Sequence, residues 1–326
     1  MTKNEKIYYI KGLAIISVIC AHCNSIPNNI GGFSYVCSLI LQNIGTFGVI
    51  CFFVLSGFLF HYEEGHLKRF FEKKLKYLCV PWLLSATCVY LYVYLRKPPI
   101  TVISWINFVL GNGSYCYYMT VLMIFYLIFT VVPFMRTNIA FFVCEAITIV
   151  SDIWLYQWGD FTPYLNLLNW IGIFALGMQI SKNKDFFRKM KNRILQGKWI
   201  FTILYIMLFS IQIYRGKGGW YWNGWNVIIC WGGAMMIFIA AHLIKEKSLI
   251  GKFLHFMGEY SFGIYIWHMP IAGVVASVMS RSFLVWFVIF RPIIVVGIVL
   301  CALLCITKLI RIMRLTKIGY IIGIRS

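Results

Sequence analysis

Acidic side chains are scarce in this chain. Asp and Glu number 10 in 326 residues, against 30 Lys and Arg, and charged residues of both signs make up only 12%. With 61% hydrophobic residues and a mean hydropathy of +0.79, there is too little polar surface to cover a water-soluble globule, which excludes a soluble domain. Proline is sparse, at 8 residues, and no Ser/Pro-rich stretch or short internal repeat interrupts the apolar runs. That excludes a visible linker to a second module and a solenoid, so residues 1–326 read as one integral membrane domain with no extramembrane domain. A small-residue cleavage pattern after the first apolar run is missing as well, so that run is expected to remain as a span rather than leave as a signal peptide.

What the chain has instead is a succession of runs near the ~20 apolar residues that cross ~30 Å of hydrocarbon. Ten spans are expected, at residues 7–24, 44–60, 77–95, 115–135, 139–156, 164–180, 199–214, 226–244, 261–279 and 283–307. The expected fold class is therefore all-α, a polytopic transmembrane helical bundle. An even count puts both termini on one side, and the positive-inside rule tests it. Of the 30 basic residues, only Arg96, Lys97, Arg215, Lys217 and Arg281 fall in the opposite connections, with Arg291 inside the last span. The others lie on the side of the termini, most densely in HLKRFFEKKLK and SKNKDFFRKMKNRILQGK, so both termini are expected in the cytoplasm. The net charge of +20 is then a topology signal spread over short loops, which argues against a basic groove for DNA or RNA.

The 11 cysteines are scattered through apolar segments, where a thiol behaves as a small hydrophobe, and disulfides are not expected for most of them. The string CAHC, from Cys20 to Cys23, lies within a span and lacks a second ligand pair at zinc spacing. Its His precedes the second Cys, whereas haem attachment needs it after. No metal is expected.

Lys11 and His22 stand eleven positions apart within IYYIKGLAIISVICAHCN. Eleven steps turn a helix through three turns plus about 20° and advance it by roughly 16 Å, so the two side chains share a face. A cation then lies near one membrane surface and an imidazole is buried well within. Ionisable groups inside a span are costly, and those that occur usually face the bundle interior or a water-filled path and mark function.

Several further strings stand in order along nearly the whole chain: KGLAIISVICAH, GTFGVICFFVLSGFLF, FFEKKLKYLCVPWLL, YCYYMTVLMIFYL and SFGIYIWHMPI. Together they resemble the acyltransferase family 3 membrane proteins, which move acyl groups from a cytoplasmic coenzyme A thioester towards cell-surface glycans or related acceptors. The first resembles the family opening, in which a basic residue precedes a His by eleven positions. The second resembles its glycine and FFxxSG helix, the third its basic segment leading to Pro, and the last its late S-x-x-IY-x-x-H helix. The sequence departs from the family at two places. Lys11 stands where Arg is common, so a bidentate phosphate contact becomes a point-charge contact. Lys74 stands for the first Arg of the family's R-x-x-R pattern, while the second falls at Tyr77, with Lys76 a neighbouring cation.

The resemblance implies an enzyme of the bacterial inner membrane that uses acetyl-CoA or another short acyl-CoA as co-substrate, with no bound cofactor, and a glycan or lipid-linked glycan as acceptor. Coenzyme A carries phosphates on one end of a long arm and a thioester on the other, so cations are needed at the cytoplasmic face and a catalytic group deeper in. Lys11, Lys73, Lys74 and Lys76 are the candidate donor-binding cations and His22 the candidate catalytic group, as general base or as acyl carrier.

Each of these residues also has a plainer reading. A His in a helical bundle is often a hydrogen-bonded structural group, and Lys73, Lys74 and Lys76 could merely enforce topology. Ser56 and Gly57 suit close helix packing better than nucleophilic chemistry. His268 suits shaping a path or bonding a neighbour better than a second base. Glu145 could orient His22 or pair with another polar group, and Tyr117 and Tyr118 could line an acceptor path or anchor the membrane interface. From residues alone, a secondary transporter using Lys11, His22 and Glu145 as a substrate or proton path, or a non-catalytic partner of a glycan assembly complex, also stays open; a transporter has no reason to bind coenzyme A, and normal glycan acylation after His22→Ala would favour the partner.

Overall fold

In a computed structural model of the chain, described for residues 3–23, 32–94, 100–157, 159–216, 221–222, 226–280, 288–313, 319–321 and 323, every regular element is a helix. Helices are what hydrocarbon permits, because each backbone N–H and C=O finds its partner within the segment. The expected span edges Asn24, Leu95 and Phe283 and the loop cations Arg96, Lys97, Lys217 and Arg281 lie outside the described residues.

The chain forms two compact units, Met1–Phe52 with Lys184–Cys305, and Phe53–Asn183 with Ile306–Ser326. The first unit opens with α1 (Lys3–His22), α2 (Gly32–Gly45) and the start of α3 (Phe47–Phe58). The second continues α3 and adds α4 (Leu67–Lys74), α5 (Val80–Tyr94), α6 (Val102–Leu110), α7 (Tyr117–Val131), α8 (Asn138–Val150) and α9 (Ile171–Lys182). The chain then returns to the first unit with α10 (Lys184–Gln196), α11 (Lys198–Tyr214), α12 (Asn226–Leu243), α13 (Leu249–Glu259), α14 (Ser261–Ser280) and most of α15 (Arg291–Ile312).

Six helical stretches are long and apolar enough to cross a membrane: Gly32–Phe58, Leu67–Tyr94, Asn138–Leu155, Asn226–Leu243, Ser261–Met279 and Arg291–Ile312. Counting α10 and α11, which meet at 69°, as one bent span makes seven. All ten expected spans have a helix, but α7, α9 and α11 reach only 15, 12 and 17 residues. α1 has 20 residues and carries Lys3, Glu5, Lys6 and Lys11 in its first half. Length and charge, rather than absence of helix, set these four apart from the other six.

Short helices account for the rest of the difference. α2 joins α3 in one 27-residue apolar stretch, where the sequence led us to expect a span beginning only at residue 44. Its polar residues concealed it, and their bonds are local: the Asn43 amide donates to the Leu39 carbonyl at 2.9 Å and Thr46 Oγ1 to the Asn43 carbonyl at 2.8 Å. α13, also unexpected, starts at Ser248, whose hydroxyl accepts from the Gly251 N–H at 3.0 Å, an N-cap in a stretch too short to read as a span.

Glycine decides how closely these helices approach. In the first unit, α1 is gripped from two sides, because a Cβ on Gly12 would strike the Leu254 carbonyl of α13 and one on Gly48 the Ala14 carbonyl. Between them, the Ser17 hydroxyl donates to the Ile44 carbonyl and accepts from the Gly48 N–H at 2.9 Å, so a polar group in the middle of α1 is satisfied by the helix it packs against. In the second unit α3 and α9 exchange the same contact: a Cβ on Gly57 would strike Phe174 O, and one on Gly177 would strike Val54 O. Small residues at such crossings let backbones meet where lipid offers no hydrophobic drive for helix association. Around that crossing Phe53, Phe125, Phe129, Trp170 and Phe174 form a buried aromatic core, with Phe53 and Trp170 centroids 5.2 Å apart and Phe129 and Phe174 4.9 Å apart.

Candidate active site

The first half of α1 is held by its own polar residues. Lys6 Nζ donates to the Ile244 carbonyl at 2.8 Å and the His242 carbonyl at 3.4 Å, placing a cation on the carbonyl end of α12. Glu5 Oε2 lies 2.8 Å from His255 Nδ1 of α13, and the His255 ring packs on Tyr8 at a centroid distance of 4.4 Å. Lys11 follows, half-buried, with its ammonium 5.7 Å from the centre of the Tyr8 ring.

At the other end of α1, the His22 ring centroid lies 5.1 Å from that of His268 on α14. Their surroundings differ sharply. His268 is fully buried, and its Nδ1 lies 2.7 Å from the Tyr265 carbonyl of its own helix. A carbonyl only accepts, so Nδ1 carries the proton and the neutral ring keeps its lone pair on Nε2. Two residues later Pro270 interrupts the ladder of α14, having no N–H to give the preceding turn. His22 itself is exposed, at the last residue of α1. Helix geometry sets the height of His22 along the α1 axis, and the residues packed around it set how much of its surface stays accessible.

Arg291 lies inside the last apolar run, and the sequence pattern alone points to no role for it. Its side chain is 1% exposed at the start of α15. The available signal was an Arg-Pro pair opening a long apolar run, the usual form of a helix N-terminus with Pro just inside. Arg291 is thus a buried cation of the first unit, which also holds His22 and His268.

The other candidates belong to the second unit. Ser56 Oγ and the Tyr118 hydroxyl are 3.0 Å apart, and the Tyr118 ring packs 4.8 Å from Phe53. Gly111 sets the entry of α7: its φ is 91°, and a Cβ there would strike the backbone of Tyr117. Tyr117 then lies 4.7 Å from Tyr164 and 6.3 Å from Trp170, centroid to centroid. Glu145 is half-buried on α8, with Oε1 taking no hydrogen bond from any described residue.

Of the three candidate donor-binding lysines after α3, Lys73 is exposed, while Lys74 Nζ lies over the rings of Tyr126, at 3.9 Å, and Phe70, at 5.2 Å. Lys76 is over Tyr77 and Tyr320 at 5.3 and 5.0 Å. Cations seated on aromatic faces keep their charge and part of their donor shell. The sequence also passed over Arg136, which lies 5.4 Å over Tyr62 and reaches Glu64 Oε1 at 3.4 Å, while Lys182 donates to its backbone carbonyl. Thus His22 and His268 come together, as do Ser56 and Tyr118. Among the described residues, no three His, Cys, Asp or Glu side chains gather as a metal ion would require, and no disulfide joins the cysteines.

A family model described as an acyltransferase domain matches residues 4–306, while no curated protein and no solved structure matches the chain. That match takes in α1 with Lys11 and His22, the basic segment of α4 and the His268 helix, and it runs almost end to end. The chain belongs to acyltransferase family 3.

Proposed function

We propose that this membrane acyltransferase takes an acetyl group from cytoplasmic acetyl-CoA, or another short acyl group from its thioester, and transfers it to a sugar hydroxyl. The acceptor would be a surface polysaccharide, a lipopolysaccharide or a lipid-linked glycan precursor at the bacterial inner membrane. The observation that carries this reading is the exposed His22 beside the fully buried His268, on the helix that also carries Lys11. The helix rise puts roughly 16 Å between Lys11 and His22, a separation that a donor with phosphates on one end and a thioester on the other can bridge.

In this reading Lys11 and the exposed Lys73 hold phosphate oxygens, with Lys74 and Lys76 adding charge from their aromatic seats. His22 removes the proton from the acceptor hydroxyl as its oxygen attacks the thioester carbonyl. The carbon–sulfur bond breaks, and the coenzyme A thiolate leaves with the proton that His22 returns. An acyl-His22 intermediate gives the same products in two steps. His268, with its tautomer held by Tyr265, positions the imidazole, and Ser56, Tyr117, Tyr118 and Glu145 support the acceptor path. Ten spans with both termini in the cytoplasm, and residues 1–326 as a single acyltransferase domain, complete the proposal; the basic connections and a family match over residues 4–306 support it.

The test is transfer of labelled acetyl from coenzyme A to membrane glycan, with coenzyme A release measured in parallel, for the native chain and His22→Ala. Release and transfer that depend on the chain and disappear in the variant support the proposal. A folded native protein that neither binds nor consumes an acyl-CoA overturns it.

A further inference from the structure

The helix α10, KDFFRKMKNRILQ, has five cations, Lys184, Arg188, Lys189, Lys191 and Arg193, against the single acid Asp185. Asp185 already pairs with Arg188 at 3.1 Å. Projected along the axis, Phe186, Phe187, Met190 and Ile194 fall within an arc of about 100°, and Arg193 and Lys191 stand at its two edges. No residue of α10 is buried: Phe186 is 65% and Met190 37% exposed. Phe187 and Ile194 are half-buried, so the protein covers the apolar stripe of a strongly basic helix only in part.

Where α10 sits in the chain tells what covers it. It meets the apolar α11 at 69°, so it does not continue that helix's course. The next residues are Lys198 and Trp199; Trp199 is 69% exposed at the first turn of α11, the position an indole takes at a membrane–water boundary. A basic helix that is apolar on one side, bent away from an apolar helix at such a boundary, matches a bilayer surface in shape and in charge.

We infer that α10 lies in the plane of the membrane surface, with Phe186, Phe187, Met190 and Ile194 in the acyl boundary and Lys189, Lys191 and Arg193 against anionic headgroups. The flanking cations reach outward from the stripe with their stems along it, so charge and apolar area are satisfied together. The docking partner is an anionic lipid surface, and the inference holds whatever acceptor the enzyme modifies.

Hydrogen exchange of the full-length protein tests it, in nanodiscs of phosphatidylcholine alone and of phosphatidylcholine mixed with phosphatidylglycerol. Amides of residues 184–196 are expected to exchange at least about threefold more slowly in the mixed bilayer at low salt, with the difference shrinking at high salt. A K189Q/K191Q/R193Q variant should lose that difference and keep the exchange of α12 and α14 unchanged. Equal exchange of α10 in the two bilayers overturns the inference, as does a difference that persists in the neutralised variant. Inorganic phosphate added to detergent-solubilised protein should give no protection; protection there would make α10 a phosphate site and overturn the membrane assignment.

Discussion

His22 and His268 face each other with ring centroids 5.1 Å apart, yet one is exposed at the end of its helix and the other has no exposed surface at all. The buried ring is fixed by its hydrogen bond to the Tyr265 carbonyl, whereas His22 keeps accessible surface. In the proposed mechanism that asymmetry gives His22 the chemistry and His268 the positioning.

His22→Ala is expected to lower acyl transfer by about 10²–10⁴-fold, the range a positioned general base contributes. His22→Gln should fail as well, because an amide takes no proton at neutral pH. Labelled-acetyl transfer at matched amounts of folded protein is the measurement. Near-native turnover in either variant would move the chemistry off this residue.

Removal of Lys11 should separate binding from chemistry. Lys11→Ala is expected to raise the KM for acyl-CoA about tenfold with kcat little changed, since a phosphate contact made equally in ground and transition states is uniform binding. Lys11→Arg should restore the native KM. A fall in kcat at saturating donor, with KM unmoved, would assign Lys11 to the reacting end instead.

Ser56 is a hydrogen-bond partner of Tyr118 at 3.0 Å, which gives it a structural use. Ser56→Ala should cost about 1 kcal/mol of stability, the usual net worth of one hydrogen bond, and leave turnover within about fivefold of native. Complete loss of transfer in a folded Ser56→Ala protein would revive it as a nucleophile.

The crossing of α3 and α9 has no room for a side chain at Gly57 or Gly177. Gly57→Val should destabilise the protein by about 1–3 kcal/mol or more, because the opposing atoms are Phe174 backbone rather than a side chain that could swing away. Thermal unfolding in detergent reads this directly. A native melting temperature for Gly57→Val would show that the two helices separate at no cost.

Topology is tested by cysteine labelling in a cysteine-free background. Probes at Lys68 and Lys189 should react only from the cytoplasmic side, because the densest basic segments are retained there. Reaction with an impermeant reagent from outside at either position would reject the proposed orientation.

The helical class, the membrane setting and the family were all legible in the sequence, because they rest on hydropathy, charge order and motifs that are local in the chain. So was the shared face of Lys11 and His22, since an eleven-residue spacing on a helix needs no neighbour to interpret it. α2, α6 and α13 were not legible: each is short or polar, and each is stabilised by partners elsewhere, as α13 is by the contact of its Leu254 and Gly258 with Gly12 and Tyr8 of α1. Equally hidden were the exposure of His22, the full burial of His268 and Arg291, and the seating of Lys74 on Tyr126. A single helix determines the angle and height of a side chain, but cover, pairing and access arise from residues far away in the chain, and only tertiary packing brings those together.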